Sequence, residues 1–344
     1  MKTIVGAYLI DAPFSALNNR GIDSRAANEN EVATKTINSP EGPRPYVSAQ
    51  ALRYWWRQIL KNKFGWNCSP VEKIGSNQAI TAADPIEYPD DDIFGYMSAR
   101  KIEVEGKKKP ENITVTRVSP LKCSPLIGYP IRVTSDFGVM NRDFEGDPVL
   151  FNHQFYSNIL KGIFALDLDA AGTFTAINKP GSMNLSPDLV KRCEEAGYSG
   201  RNDNKKYSLP LDMKVKRVTD TIAALKYLNG GAMQTLHHTD VSPKFIILTA
   251  LRGGNNIFMG VLPHRNYEEG LVNLDALTTV LEDYRNDLLT GVYIGLLPGF
   301  GTDNEKELMQ FKAPEGVRLE INSPVRAIDG FIKEISGKSA LFEA

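Results

Sequence analysis

The chain has 344 residues, 42% of them hydrophobic and 24% charged, the proportions of a soluble globular protein with one large domain or about two ordinary ones. A formal net charge of −1 excludes the large basic excess of a generic polyanion binder. Cys68, Cys123 and Cys193 are too few and too far apart for a disulfide framework or a zinc site. With no signal-like N-terminus or long apolar run, the chain is expected in the cytoplasm without a membrane span.

The first predicted element is a strand over Thr3 to Ile10, apolar on both faces as a central, doubly covered strand requires, and Asp11-Ala12-Pro13 is expected to end it. From there to Arg44 runs a stretch rich in Asn, Asp, Ser, Pro and Gly with little periodicity, containing Asn18-Asn19-Arg20-Gly21. So long a loop in a compact domain is uncommon and reads as either disordered or functional. It delivers the chain to the stretch around which the rest is organised. Pro45 keeps its predecessor extended and Ser48 is a good N-cap, so a helix is predicted from Ala49 to about Lys61. Leu52, Trp55, Trp56, Ile59 and Leu60 form its apolar, core-facing side. Gln50, Arg53, Arg57 and Lys61 share another side, and the first N–H groups point outward at the positive dipole end, where an anion such as a phosphate would sit. An arginine stripe is equally the mark of a solvated face.

Charge is unevenly spread nearby. Lys35, Arg44, Arg53, Arg57 and Lys61 stand against Glu41, whereas Glu72, Asp84, Glu87, Asp90, Asp91 and Asp92 stand against Lys73. Such a pair of patches suits copies stacked head to tail around an anion, and suits ordinary surface heterogeneity as well.

Beyond Trp66 the pattern breaks into short pieces. A short helix is predicted from Asp91 to Met97, then a hairpin of Lys101–Val104 with Ile113–Val118 around a basic tip at 106–110. Arg117 to Asn152 reads as an irregular excursion with scattered apolar residues, among them Phe137, Met140 and Phe144. A buried strand over Ile159 to Leu168 follows, then an amphipathic piece over Leu185 to Ala196. A second main helix from Val215 to Leu228 is stopped by Asn229-Gly230-Gly231. Phe245–Leu251 and Ile257–Leu262 are expected to pair through Gly253-Gly254-Asn255-Asn256; a helix over Leu274 to Leu288, a strand over Val292 to Leu297 and a helix over Val325 to Ile335 complete the chain. Without the excursions the order is strand, helix, strand, strand, helix, strand. That is the split βαβ order of ferredoxin-like α+β domains, shared with RNA recognition modules.

No catalytic chemistry stands out. His153, His237, His238 and His264 do not form a metal-ligand spacing with the cysteines, and no nucleophile elbow, Walker or dinucleotide-binding pattern occurs. No catalytic residue, metal or cofactor is therefore expected. Asp23, Glu29 and Glu31 are either loop charges or carboxylates able to hold a divalent ion for phosphodiester cleavage. Gly230 and Gly231 are either a helix stop or a place where a sugar–phosphate backbone can approach the main chain.

Tyr46-Val47-Ser48-Ala49-Gln50-Ala51-Leu52-Arg53, preceded by a strand and an Asn-Arg-rich loop, resembles the backbone subunit of type I CRISPR Cascade complexes, the Cas-seven superfamily, and within it the DevR branch of type I-B-like systems. Asn18-Asn19-Arg20, Asp92-Ile93-Phe94-Gly95, the segment from Arg117 to Leu121, Phe164-Ala165-Leu166-Asp167-Leu168 followed by Gly172, and Gly230-Gly231 extend the resemblance to about residue 260.

The resemblance implies a right-hand-like architecture. A ferredoxin-like (RRM-like) palm would come from 1–64 and 153–262, inserted fingers from 65–111, a thumb from 112–152 and a palm-supporting segment from 263–344. It implies a non-enzymatic protein whose copies polymerise along CRISPR RNA into a helical filament, join other Cascade subunits and meet target DNA through the guide. Carried over by position, Ser48, Gln50, Arg53 and Arg57 match RNA-backbone contacts on the palm helix, Asn19 and Arg20 lie in the matching loop, and Gly230 and Gly231 in the loop facing the RNA. Phe137 or Met140 in the thumb would wedge against an unstacked base. Phosphate contacts hold RNA without reading it, as acceptance of any guide requires. Two alternatives stand beside this reading. One is a type III-like metal-dependent ribonuclease cleaving target RNA at regular intervals with Asp23 or Glu31; the other is a regulator or adaptor that binds no nucleic acid.

Overall fold

A computed structural model describes the chain except residues 23–30, 76–77, 103–110, 141–144, 180–181, 199–204, 264–270, 301–303 and 344. Asp23, Glu29, Phe144, His264 and the basic hairpin tip therefore lie outside the described residues. The structure is a mixed α+β fold built on a large sheet in which antiparallel pairing dominates.

The first strand, Lys2–Ser15, lies between Val149–Asp167 and Phe245–Arg252 and is antiparallel to both. Ile4 to Ile10 carry side chains that alternate between two apolar cores, and all of the apolar ones are fully buried. On one face Ile4, Tyr8 and Phe164 pack with Trp56, Ile222 and Phe331 from the helices Ala49–Phe64, Leu211–Ala223 and Pro324–Ser336. On the other, Val5, Ala7 and Leu9 pack with Phe258, Leu277 and Ile294. Leu126–Gly128 and Gly42–Val47 continue the sheet beyond the long strand Val149–Asp167, while Val292–Leu296 and Leu319–Asn322 extend it on the opposite side. Segment 263–344 thus adds strands to the main sheet as well as a helix over its face.

Three expectations need correction. The first strand does not stop at Asp11-Ala12-Pro13. Its register with the long strand shifts between Ala12 and Ser15, so Pro13 and Phe14 together oppose Ser157 in a bulge, and pairing resumes at Ser15. The stretch before Arg44 is not a structureless loop either: Asn19–Ile22, Glu31–Thr34 and Thr36–Ser39 are short strands, and Glu31–Thr34 pairs in parallel with the long strand. Short edge strands packed on one side carry little periodicity to read. Ile257–Leu262 is a run of turns, and Phe245–Arg252 pairs with Val292–Leu296 instead. Its buried residues, Ile257, Phe258, Val261 and Leu262, follow turn spacing rather than alternation. The Asn256 amide pins the run by donating to the carbonyls of Gly6 and Phe164, each at 2.9 Å.

The hairpin expected from Lys101–Val104 and Ile113–Val118 forms as Tyr96–Ile102 with Glu111–Arg117, so Tyr96 and Met97 belong to its first strand and the helix before it is Pro89–Phe94. Leu121–Cys123 and Leu126–Gly128 return to the main sheet, and Thr134–Met140 pairs with Val149–Phe155 in a projecting hairpin. Among the described residues no helix is long and apolar enough to cross a membrane.

Candidate nucleic-acid interface

The tryptophan helix forms where its sequence requires. Ser48 is extended (φ −62°, ψ 149°) and its hydroxyl accepts from the Ala51 N–H, while Gly65 ends the helix in the left-handed region at φ 69°. Trp56 is fully buried and its indole N–H donates to the Thr221 carbonyl at 2.8 Å, fixing the helix to Leu211–Ala223. The first turn holds no acidic residue, and Gln50 is exposed. Among the described residues no backbone carbonyl outside the helix accepts from Ala49 or Gln50, so that end keeps outward-facing donors.

Three distant segments meet around this end. The Ser48 N–H donates to Asn18 Oδ1 at 3.1 Å, and the Asn18 carbonyl accepts from the Lys35 N–H at 2.8 Å. The turn at Gly230-Gly231 closes from the other side: the Ala232 N–H donates to the Leu17 carbonyl at 2.9 Å. Gly230 (φ +154°) lies against the Trp55 indole and Gly231 (φ +116°) against Leu17, so close that a Cβ at Gly231 would stand 2.6 Å from Leu17 Cδ2. The structure therefore brings together the segments bearing Asn19, Arg20, Ser48, Gln50, Gly230 and Gly231. Arg20 is exposed, and Asn19 Oδ1 is buried with no hydrogen-bond partner among the described residues. The motif reading missed the role of Asn18, the residue that ties loop to helix; its place beside Asn19 was the available signal.

Arg53 and Arg57 turn elsewhere. The Arg53 guanidinium donates to the carbonyls of Leu121 and Phe94, at 2.7 and 2.5 Å, and to Ser119 Oγ at 3.1 Å. Arg57 lies over the Phe94 ring, 4.5 Å from its centroid, and pairs with buried Asp90 at 3.4 Å. Both brace the helix against the segment that follows it. The basic patch expected at 35–61 is reduced further by Arg44, which is buried and bonded to Ser39, Glu41 and Gly128. The acidic patch is also largely internal: Asp90, Asp91 and Asp92 are buried, so these aspartates offer no face for a neighbouring copy.

Asp92 is the hub of that interior. It is fully buried and pairs with Arg117 and with Arg217, the latter at 2.7 Å, and its two oxygens accept from the Gly172 N–H at 3.1 and 3.0 Å. Arg117 goes on to the carbonyls of Thr173 and Ala170, and Arg217 to those of Pro85 and Ile86. A buried charge persists only when paired and hydrogen-bonded in this way.

The projecting hairpin carries Phe137 and Met140, 60% and 56% exposed, with Val139 and Val149 also open to solvent. At its base His153 stands 3.5 Å from Asp136, and the His237 ring lies edge-on to it with centroids 5.8 Å apart. Burial, and then the neighbouring His153, hold the His237 imidazole below its usual pKa. Glu31 is buried; its Oε1 accepts from Ser135 at 3.0 Å and Gln154 at 2.8 Å, which leaves it a strand-to-hairpin tie. No group of three or more His, Cys, Asp or Glu suited to a metal ion occurs among the described residues. An apolar cavity of about 630 Å³ opens between Arg44, Ile127, Tyr129, Lys161 and Met259. There burial lowers the Lys161 pKa to about 8 while its ammonium donates to the Met259 and Leu262 carbonyls.

The fold is that of chains in RNA-guided CRISPR complexes. One solved structure, titled "CRISPR RNA-guided surveillance complex, pre-nicking", contains a chain that superposes with TM-score 0.55 at 11% identity, over 96% of this chain and 99% of that one. A chain of a second, titled "CRISPR RNA-guided surveillance complex", gives 0.51 at 12% identity, over 97% and 99%. Residues 15–269 match the family described as CRISPR-associated negative auto-regulator DevR/Csa2, and the chain belongs to that family. The resemblance read from the Tyr46–Arg53 segment and its companions is thereby borne out. Among curated proteins no significant relative is found.

Proposed function

We propose that this protein is a non-enzymatic RNA-binding subunit of a type I Cascade-like surveillance complex, in which successive copies line a CRISPR RNA and present its bases to target DNA. One observation carries the reading: a helix N-terminus with outward donors, the loop of Asn18, Asn19 and Arg20, and the Gly230-Gly231 turn converge on one surface. Such a surface grips ribose and phosphate without base edges. Strand order supports a ferredoxin-like palm. Phe245–Arg252, Lys2–Ser15, Val149–Asp167 and Leu126–Gly128 lie side by side and antiparallel, with one helix after the first strand and another before the last. On this reading Thr134–Met140 and its partner form the thumb, Phe137 and Met140 its wedge, and Tyr96–Ile102 lies within the fingers. Arg53 and Arg57 serve RNA indirectly by holding the palm helix in place. The protein acts in the cytoplasm beside the other subunits of the complex.

The ribonuclease alternative is weakened by Glu31, whose carboxylate is occupied by Ser135 and Gln154. Purification of the tagged protein from its native host tests the proposal. A ladder-like particle with RNA of defined length is expected, and that particle leaves complementary RNA intact in magnesium. Protein free of RNA would support the regulator or adaptor reading, and evenly spaced cuts would support the nuclease.

A further inference from the structure

The bulge in the first strand re-aims one side chain. Pro13 and Phe14 oppose the single residue Ser157, and Phe14 sits at φ 45°, a left-handed conformation that a bulky residue adopts only when its surroundings enforce it. Here they do. The Phe14 N–H donates to Ser157 Oγ at 2.9 Å, and on the next residue the Ser15 hydroxyl binds the Pro13 carbonyl and Thr239 Oγ1, at 2.8 and 2.7 Å. This scaffold holds the Phe14 ring outside the core, 67% exposed. The ring is not alone: Phe155 lies 6.3 Å away, centroid to centroid, at 38°, and His237 lies 6.1 Å beyond Phe155 at 32°. Strain spent on exposing an aromatic ring, next to a second ring tilted against it and a third beyond, makes a surface for a flat apolar partner. It also adjoins the convergent surface described above, because Leu17 contacts the glycine turn and His237 follows that turn in the chain.

We propose that Phe14, backed by Phe155, is a stacking platform for an unpaired nucleobase of single-stranded RNA. This rests on the RNA reading above and adds to it a base contact that recognises the π face and not the base edges, so any base is accepted. The carrying observations are the enforced left-handed backbone, the exposed ring and its continuity with the donor-rich surface.

The test measures binding of the purified full chain to a mixed-sequence single-stranded RNA and to the same strand made abasic. Phe14→Leu keeps apolar bulk but removes the ring, and is expected to weaken binding to the base-bearing strand about tenfold while leaving abasic binding unchanged. Phe14→Gly relieves the backbone and is expected to lose the same affinity with an unchanged or raised melting temperature. Equal affinities of wild type and Phe14→Leu, equal losses on both strands, or a lowered melting temperature for Phe14→Gly would each overturn the platform while leaving RNA binding standing. Failure of the wild-type chain to bind either strand would overturn the RNA reading itself, and the platform with it.

Discussion

The indole of Trp55 occupies the space that any side chain at residue 230 would need: a Cβ there would lie 2.3 Å from Trp55 Cγ. The core-facing side of the tryptophan helix and the glycine turn are therefore one packed unit, and the turn's position relative to Ser48 and Gln50 is set by that contact. Gly230→Ala should cost about 1–3 kcal/mol by forcing the indole or the turn aside. A thermal melt measures the loss, and RNA affinity should fall with it because the turn moves away from the helix start.

Arg53→Glu and Gln50→Glu should behave differently although the residues lie one turn apart on the same helix. The first puts a carboxylate among the carbonyls of Phe94 and Leu121, which Arg53 now satisfies, and should cost about 3 kcal/mol or more in a urea titration. The second lies on an exposed site and should leave stability within about 0.5 kcal/mol. Its effect should appear as weaker RNA binding, through repulsion between the new carboxylate and phosphate at the helix start.

Asp92→Asn should be among the most damaging changes in the chain. It leaves Arg117 and Arg217 buried without their counter-charge, an expected loss of about 3–5 kcal/mol by denaturant unfolding. Replacing Asp92 alone is the informative variant, because all the partners that anchor it remain in place.

Acid should loosen the base of the hairpin. Burial first, and then His153, depress the His237 pKa in the fold below its ordinary value of 6.5, with Asp136 opposing them. The folded state thus favours neutral His237: the stabilisation is complete above the unfolded value and is lost as pH falls through the folded one. Amide hydrogen exchange over 233–239, corrected for intrinsic rates, should accelerate as pH falls below the ordinary imidazole value of 6.5, and His237→Phe should flatten that dependence.

The tryptophan helix was legible because its period, cap and tryptophans agree, and the first strand because it is apolar on both faces from Ile4 to Ile10. What escaped was long-range. Asp92 reads locally as a carboxylate near a helix start, yet its partners Arg117 and Arg217 lie 25 and 125 residues away. The same knot joins Asp92, Arg117 and Gly172, which lie in three separate stretches of the sequence. Periodicity puts Arg53 and Arg57 on the polar side of the helix but says nothing of what covers that side. Here Phe94, Ser119 and Leu121 do. The Phe14 bulge was hidden because Asp-Ala-Pro ordinarily ends a strand, and only the pairing partner shows that it continues.

Photocrosslinking with 4-thiouridine RNA, followed by mass spectrometry of the crosslinked peptides, tests most directly whether the convergent surface holds the nucleic acid. Crosslinks concentrated in residues 14–20, 48–50 and 230–237 are the predicted result. Efficient crosslinking confined to other parts of the chain, with these three segments unlabelled, would contradict it.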